Sequence, residues 1–258
     1  MIDAHAHLSD ERLYGAVGEV LERARKAGVT RVLMAGTEPS DWERQRSIAS
    51  AHDGALMAFG LHPWRAVSEG AVRRALERLN QEVQRQPTPA AIGETGLDRS
   101  PRHKPTLPHQ EFSLREHLRI AVRRDLPVIL HVVRAHGRML EILRALDAPP
   151  AGLVHGFDGS PEVAREYQAL GFHISVGGRV CSPDAHRLRR AVTAIDAQRM
   201  LIETDTPDQM PHGLEPGRNE PASLLRIAET VAELRGESVE QVGALTAENA
   251  RRLLGLST

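Results

Sequence analysis

The chain opens MIDAHAHLSD, residues 1–10, and this stretch decides how the rest is read. From Ile2 to His7 apolar and polar residues alternate, the period of a strand, with Asp3, His5 and His7 on one face. A doubly wound open sheet usually places a glycine-rich turn after its first strand, and no glycine occurs here. The rival α/β architecture is a (β/α)8 barrel of TIM type. Apolar, strand-like runs at 1–6, 30–35, 55–60, 89–93, 126–131, 151–155, 172–176 and 199–203 support it. Between them apolar residues recur three and four apart, as in Val17, Leu21 and Ala24, or Leu114, Leu118 and Ala121, or Met139, Ile142 and Leu143. Such units in 258 residues predict one barrel domain over 1–258, with a further helix at about 238–254.

Composition narrows the chemistry. The formal net charge is -1, so bulk attraction to nucleic acid is absent and any polyanion is held by local groups. One cysteine excludes a disulfide framework and a cysteine-rich zinc site, and Cys181 reads as a loop or buried thiol without a redox role. Aromatics at 3% argue against base-stacking platforms of the kind single-strand binders use. No run of ~18 apolar residues spans a membrane, and MIDAHAHL shows neither a charged n-region nor an apolar h-region, so the expected compartment is the cytoplasm. Histidine stands out at 13 residues. Lysine is scarce: only Lys26 and Lys104 occur.

In a barrel the chemistry sits at the carboxyl ends of the strands. The first strand ends in His5 and His7, able to chelate one ion or simply to form a polar edge. The third ends GLHP, where His62 faces the site or caps its loop. The fourth reads AIGETGLD, with Glu94 among glycines that permit close backbone approach. The fifth and sixth are apolar until His131 and His155; the eighth ends Glu203-Thr204-Asp205. Taken together, His5, His7, Glu94, His131, His155 and Asp205 offer nitrogen and carboxylate ligands suited to zinc, manganese or magnesium, with room for two ions. Paired ions ~3.5–4 Å apart hydrolyse phosphate esters through an acidified water. Lys26 lies in the first helix and Lys104 in a Pro-rich loop, so neither forms a carboxylated-lysine bridge or a Schiff base; Glu94 is the natural bridging group.

The blocks DAHAHL, GLHP, AIGETGLD, PVILH, VHGFDGS, ETDTP and RNEP occur in order along the whole chain, which resembles the TatD family of metal-dependent hydrolases. The resemblance implies a barrel of the amidohydrolase superfamily, a one- or two-metal site and DNase or phosphodiesterase activity. It implies that His5, His7 and Asp205 hold one metal, that Glu94 bridges, and that His131 and His155 hold the second. His62 matches a substrate-phosphate contact, while Asp205 orients or deprotonates the attacking water, making Asp205 and Glu94 the catalytic pair. Three departures fall on substrate contacts. Arg99 follows Asp98 where an aromatic is usual; Arg134 comes one place late after His131; Leu114 and His117 stand where Phe and Gln are usual. Arg134 and Arg218 of GRNEP are read as phosphate-binding cations, or as solvated ones.

The expected activity is therefore divalent-metal-dependent cleavage of phosphodiesters, trimming DNA ends or single strands rather than long duplexes. No obligate protein partner and no membrane is expected, and a monomer or weak oligomer suffices. Amide, lactone or other ester hydrolysis on the same metals is the alternative, since the fold does not fix the substrate; a metal-stabilised binding protein without catalysis is the other.

Overall fold

The computed structural model describes residues 1–215 and 219–256. Arg218 therefore lies outside the described residues. All eight expected strands form: β1 Ile2–Ala6, β2 Arg31–Ala35, β3 Ala55–Phe59, β4 Ala91–Asp98, β5 Val128–Val133, β6 Gly152–Val154, β7 His173–Val176 and β8 Met200–Ile202. They lie side by side in chain order, each pair parallel, the topology of a (β/α)8 barrel. Helices surround them. Among these are α1 Glu11–Tyr14, α2 Val17–Lys26, α3 Pro39–Ala51, α4 Glu69–Glu82, α5 Leu107–Arg124 and α6 His136–Arg144. Then follow α7 Pro161–Ala169, α8 His186–Ala194, α9 Leu224–Arg235 and α10 Val239–Leu254. No helix among the described residues is long and apolar enough to cross a membrane.

Two apolar layers hold the barrel. The larger joins the outward strand faces to the helices, through residues such as Leu114, Leu118, Met139 and Ile142. The smaller fills the lumen: Ile2, Ala4, Leu33, Ala58, Ala91, Ile129, Leu153 and Leu201 mix large and small side chains. Ala247, Ala250 and Leu253 of α10 complete that cluster, so the expected C-terminal helix plugs the floor. The Asn249 amide locks it there, donating to the carbonyls of Ala197 at 2.7 Å and Met200 at 2.8 Å.

The register breaks at two places. On β1 the pairing with β2 slips between Asp3 and Ala6, and on β4 the pairing with β5 slips between Ile92 and Thr95. A bulge of this kind inserts one residue and turns the side chains beyond it to the other face. Ala4 and Ala91 point into the lumen before the slip. After it, His5 and Glu94 share the lumen's upper end, where strict alternation would put them among the helices.

The seam between first and last strands closes just beyond β8. Asp205 N donates to the His5 carbonyl at 2.9 Å and His7 N to the Thr206 carbonyl at 2.8 Å. Asp3, fully buried, accepts from Thr204 N at 3.0 Å and from the Thr204 hydroxyl at 2.6 Å. It belongs to the seam, not to the face that His5 and His7 present.

Candidate metal centre

The strand ends bring all six expected ligands together, and the two oxygens of Glu94 divide them. Oε2 lies 3.3 Å from His5 Nε2 and 3.5 Å from His7 Nε2. Asp205 Oδ1 joins that side at 3.4 Å from His5 Nε2 and 3.2 Å from His7 Nε2. Oε1 lies 2.7 Å from His131 Nδ1 and 2.8 Å from His155 Nε2. His62 Nε2 is also there, 3.1 Å from Oε1. Glu94 is held in place by tight packing beneath it. Gly96 has φ 152°, and a Cβ there would stand 2.0 Å from the His131 carbonyl oxygen. Asp205 has φ 51°, a left-handed backbone uncommon outside glycine and of the kind that gathers at functional sites.

The donor set fits divalent cations. Glu94 Oε2 and Asp205 Oδ1 are buried and accept no hydrogen bond. His7 Nδ1 faces the Ala35 carbonyl at 3.1 Å, so that nitrogen carries the proton and Nε2 offers its lone pair inward. His155 Nδ1 faces Glu203 Oε1 at 3.5 Å, and His131 Nε2 faces Asp98 Oδ2 at 3.8 Å. The opposite nitrogens, His131 Nδ1 and His155 Nε2, face Glu94. They lie 3.0 Å apart, close enough that both would hold one cation. His62 differs. Its Nδ1 accepts from Trp64 N at 3.2 Å, so a neutral ring carries its proton on Nε2, and that nitrogen donates.

The electrostatics agree. Burial pushes the Glu94 carboxyl up, but the surrounding imidazoles outweigh it and hold it well below its usual value. Asp205 is likewise lowered against its burial, by His7 and its neighbours. Burial works against protonated His7 and His155. The carboxylates prevail, raising His7 to about 9 and His155 well above its usual value. Cations entering the cluster therefore displace protons. Burial sets His62 at about 4, so it is neutral near neutral pH.

Several residues of the site gave little sign in the sequence. Glu203, buried behind His155, also accepts from Gly156 N. Asp98 accepts from the Trp64 indole N–H at 2.6 Å and from Ser100 N at 2.7 Å. Gln209 donates to Asp205 Oδ2 at 2.6 Å. Asn219 of the RNEP block donates to the Thr204 carbonyl at 2.9 Å, and Thr206 returns a bond to the Asn219 carbonyl at 2.6 Å. Their legible signal was position: Glu203 precedes Asp205 by two, and Asp98 ends the block that holds Glu94. Of the expected phosphate contacts, Arg134 is exposed just beyond β5 with φ 53°.

A (β/α)8 barrel whose strand ends gather histidines and carboxylates around one shared glutamate defines a metal-dependent hydrolase. The chain belongs to the TatD family: the family described as TatD related DNase matches residues 2–255. It is 33% identical over 256 residues to the uncharacterized metal-dependent hydrolase YjjV of Escherichia coli K12, covering 99% of this chain and 98% of that protein. The crystal structure of YjjV superposes with a TM-score of 0.92 at 32% identity, covering 100% of this chain and 98% of that one. The 3'-5' ssDNA/RNA exonuclease TatD of Klebsiella pneumoniae is 36% identical over 265 residues, covering 99% of this chain and 98% of the relative.

Proposed function

We propose that this hydrolase cleaves phosphodiesters, removing nucleotides from the ends of single-stranded nucleic acid, with two divalent cations among His5, His7, Glu94, His131, His155 and Asp205. The observation that carries it is the division of Glu94, whose Oε2 faces one ligand set and Oε1 the other. When bound, such a pair of cations polarises the phosphoryl oxygens and acidifies the attacking water. The relative named as a single-strand exonuclease supports the substrate class.

The chain's own groups have distinct tasks. Asp205 offers Oδ1 to the cluster while Gln209 holds Oδ2, so the carboxylate is fixed in the orientation that would steer the attacking water. His62 presents an N–H donor rather than a lone pair, the right polarity for a phosphate oxygen, and burial keeps it neutral. Arg134, exposed at the mouth, supplies a cationic fork to the outer phosphate.

The test is to load purified protein with zinc, manganese or magnesium and assay single-stranded DNA, a bis-aryl phosphate and small amides. Metal-dependent diester cleavage is expected, lost in Glu94→Ala and Asp205→Asn. Activity that survives in both variants or in chelator removes the metal mechanism. Cleavage of amides without diesters removes the substrate class.

A further inference from the structure

Trp64 is the aromatic that does not pack away. The other tryptophan, Trp42, is 1% exposed, whereas Trp64 is 52% exposed. It is nevertheless held firmly. Its indole N–H donates to Asp98 Oδ2 at 2.6 Å, and its ring stacks on His103 with centroids 4.9 Å apart and planes 11° from parallel. Its edge meets the His62 ring at 4.7 Å, and His131 lies 6.3 Å away. A rigid indole with exposed surface thus sits on the rim, one ring removed from the groups that receive the scissile phosphate.

The rim is also locally basic. His103 lies between Arg102 and Lys104, in the loop that Arg99 begins, and Arg99 N bonds the Val133 carbonyl at 2.9 Å, just before Arg134. Arg99, Arg102, Lys104 and Arg134 are all exposed. Many arginines elsewhere are paired, as Arg46 is with Glu82 at 2.9 Å and Arg138 with Glu111 at 2.7 Å, although Arg74, Arg124 and Arg190 are exposed without an ion pair among the described residues too. The four on the rim have no carboxylate within ion-pair reach among the described residues. A chain of net charge -1 thus keeps free cations beside an exposed indole at its site. Exposed aromatics flanked by cations are how sequence-tolerant proteins hold single strands. The aromatic content of 3% argues against stacking platforms, and the exposed position of Trp64 is the observation that weighs the other way.

We propose that Trp64, backed by His103, is the stacking platform for one nucleobase of the strand whose phosphodiester lies in the site, with Arg102 and Lys104 holding a flanking phosphate. This rests on the phosphodiesterase reading and adds a specificity determinant to it. The platform favours a base of any identity over no base.

The test pairs fluorescence with kinetics. The intact protein is titrated with a short phosphorothioate oligothymidylate and with an abasic oligomer of equal length. The base-bearing oligomer is expected to quench Trp64 emission saturably, and the abasic one to leave it unmoved. In Trp64→Phe the remaining buried Trp42 does not respond. In cleavage assays the wild type prefers base-bearing to abasic ends; Trp64→Ala raises KM for the former ~10-fold and erases the preference, while Trp64→Phe keeps part of it. Arg102→Ala/Lys104→Ala lowers the salt slope of oligonucleotide binding by ~0.7, the value for one phosphate on a single strand. Unmoved emission, whether or not the oligomer binds by anisotropy, overturns the platform, as does a base preference intact in Trp64→Ala. An unchanged salt slope overturns the phosphate contact. Should no oligonucleotide be cleaved with any metal, the function falls, and the quenching still decides the stacking on its own.

Discussion

Behind His155 stands Glu203, and behind His131 stands Asp98, each on the ring nitrogen that faces away from the cluster. Carboxylates so placed fix the tautomer and raise the basicity of a ligand, and their loss typically weakens metal binding or activity 10–100-fold. Glu203→Gln is therefore expected to lower affinity for the cation held by His155 and His131 by about that factor, read by calorimetric titration. Unchanged affinity would mean that Glu203 serves only the Gly156 turn. His117 offers a second residue-scale test. Its Nε2 accepts from Leu61 N at 3.1 Å and its Nδ1–H donates to the Ser113 carbonyl at 2.8 Å, fixing the backbone that precedes His62. Burial lowers its pKa from 6.5 to about 4, so between those values the unfolded chain binds a proton that the folded one refuses. Stability contributed by neutral His117 is complete above about pH 6.5 and drains away as pH falls toward 4, by about 1.4 kcal/mol per pH unit. Glutamine can accept the same Leu61 bond without titrating. Urea melts at pH 7 and pH 4 should thus show the wild type losing about 3 kcal/mol more than His117→Gln; equal losses would remove His117 as the cause. The six candidate ligands were legible because each stands at the end of a strand as a group that needs a partner. Glu203 was legible as a strand-end carboxylate but not as the neighbour of His155, and Gln209 was not legible at all, because sequence spacing does not reveal pairings across strands or loops.

At the scale of the element, the strands were readable almost residue for residue, whereas the slips on β1 and β4 were not. Alternation predicts Asp3, His5 and His7 on one face. The slip leaves His5 and His7 in the lumen, while Asp3 serves the seam. Nothing in DAHAH distinguishes a bulged strand from a regular one, because the extra residue is set by how neighbouring strands pair. On β4 the glycines do carry the signal. Gly96→Ala would drive a Cβ into the His131 carbonyl on β5 and strain a φ of 152°. A loss of about 2–4 kcal/mol is expected, together with weakened metal binding as Glu94 and His131 move apart. A thermal melt and a metal titration on the same variant check both, and a melt within error of wild type would refute the packing argument.

Over the whole molecule, the barrel is only as closed as its last seam. Asp3 is a buried carboxylate whose partners there come from the Thr204 backbone and hydroxyl. Thr204→Val keeps the shape and deletes the hydroxyl, leaving the Asp3 carboxyl, whose pKa burial raises to about 7, short of a partner at a cost of about 1–3 kcal/mol in urea denaturation. A neutral result would show that strand pairing alone holds the ends. The same seam governs when the protein becomes active during its own synthesis. His5 and His7 leave the ribosome first, Asp205 near the end, and the His5–His7–Asp205 pocket needs all three. A nascent chain can fold several strands and still lack this group of candidate ligands. Hydrolytic competence is thus withheld until residue 205 has emerged, and a fragment ending before it lacks the Asp205 carboxylate.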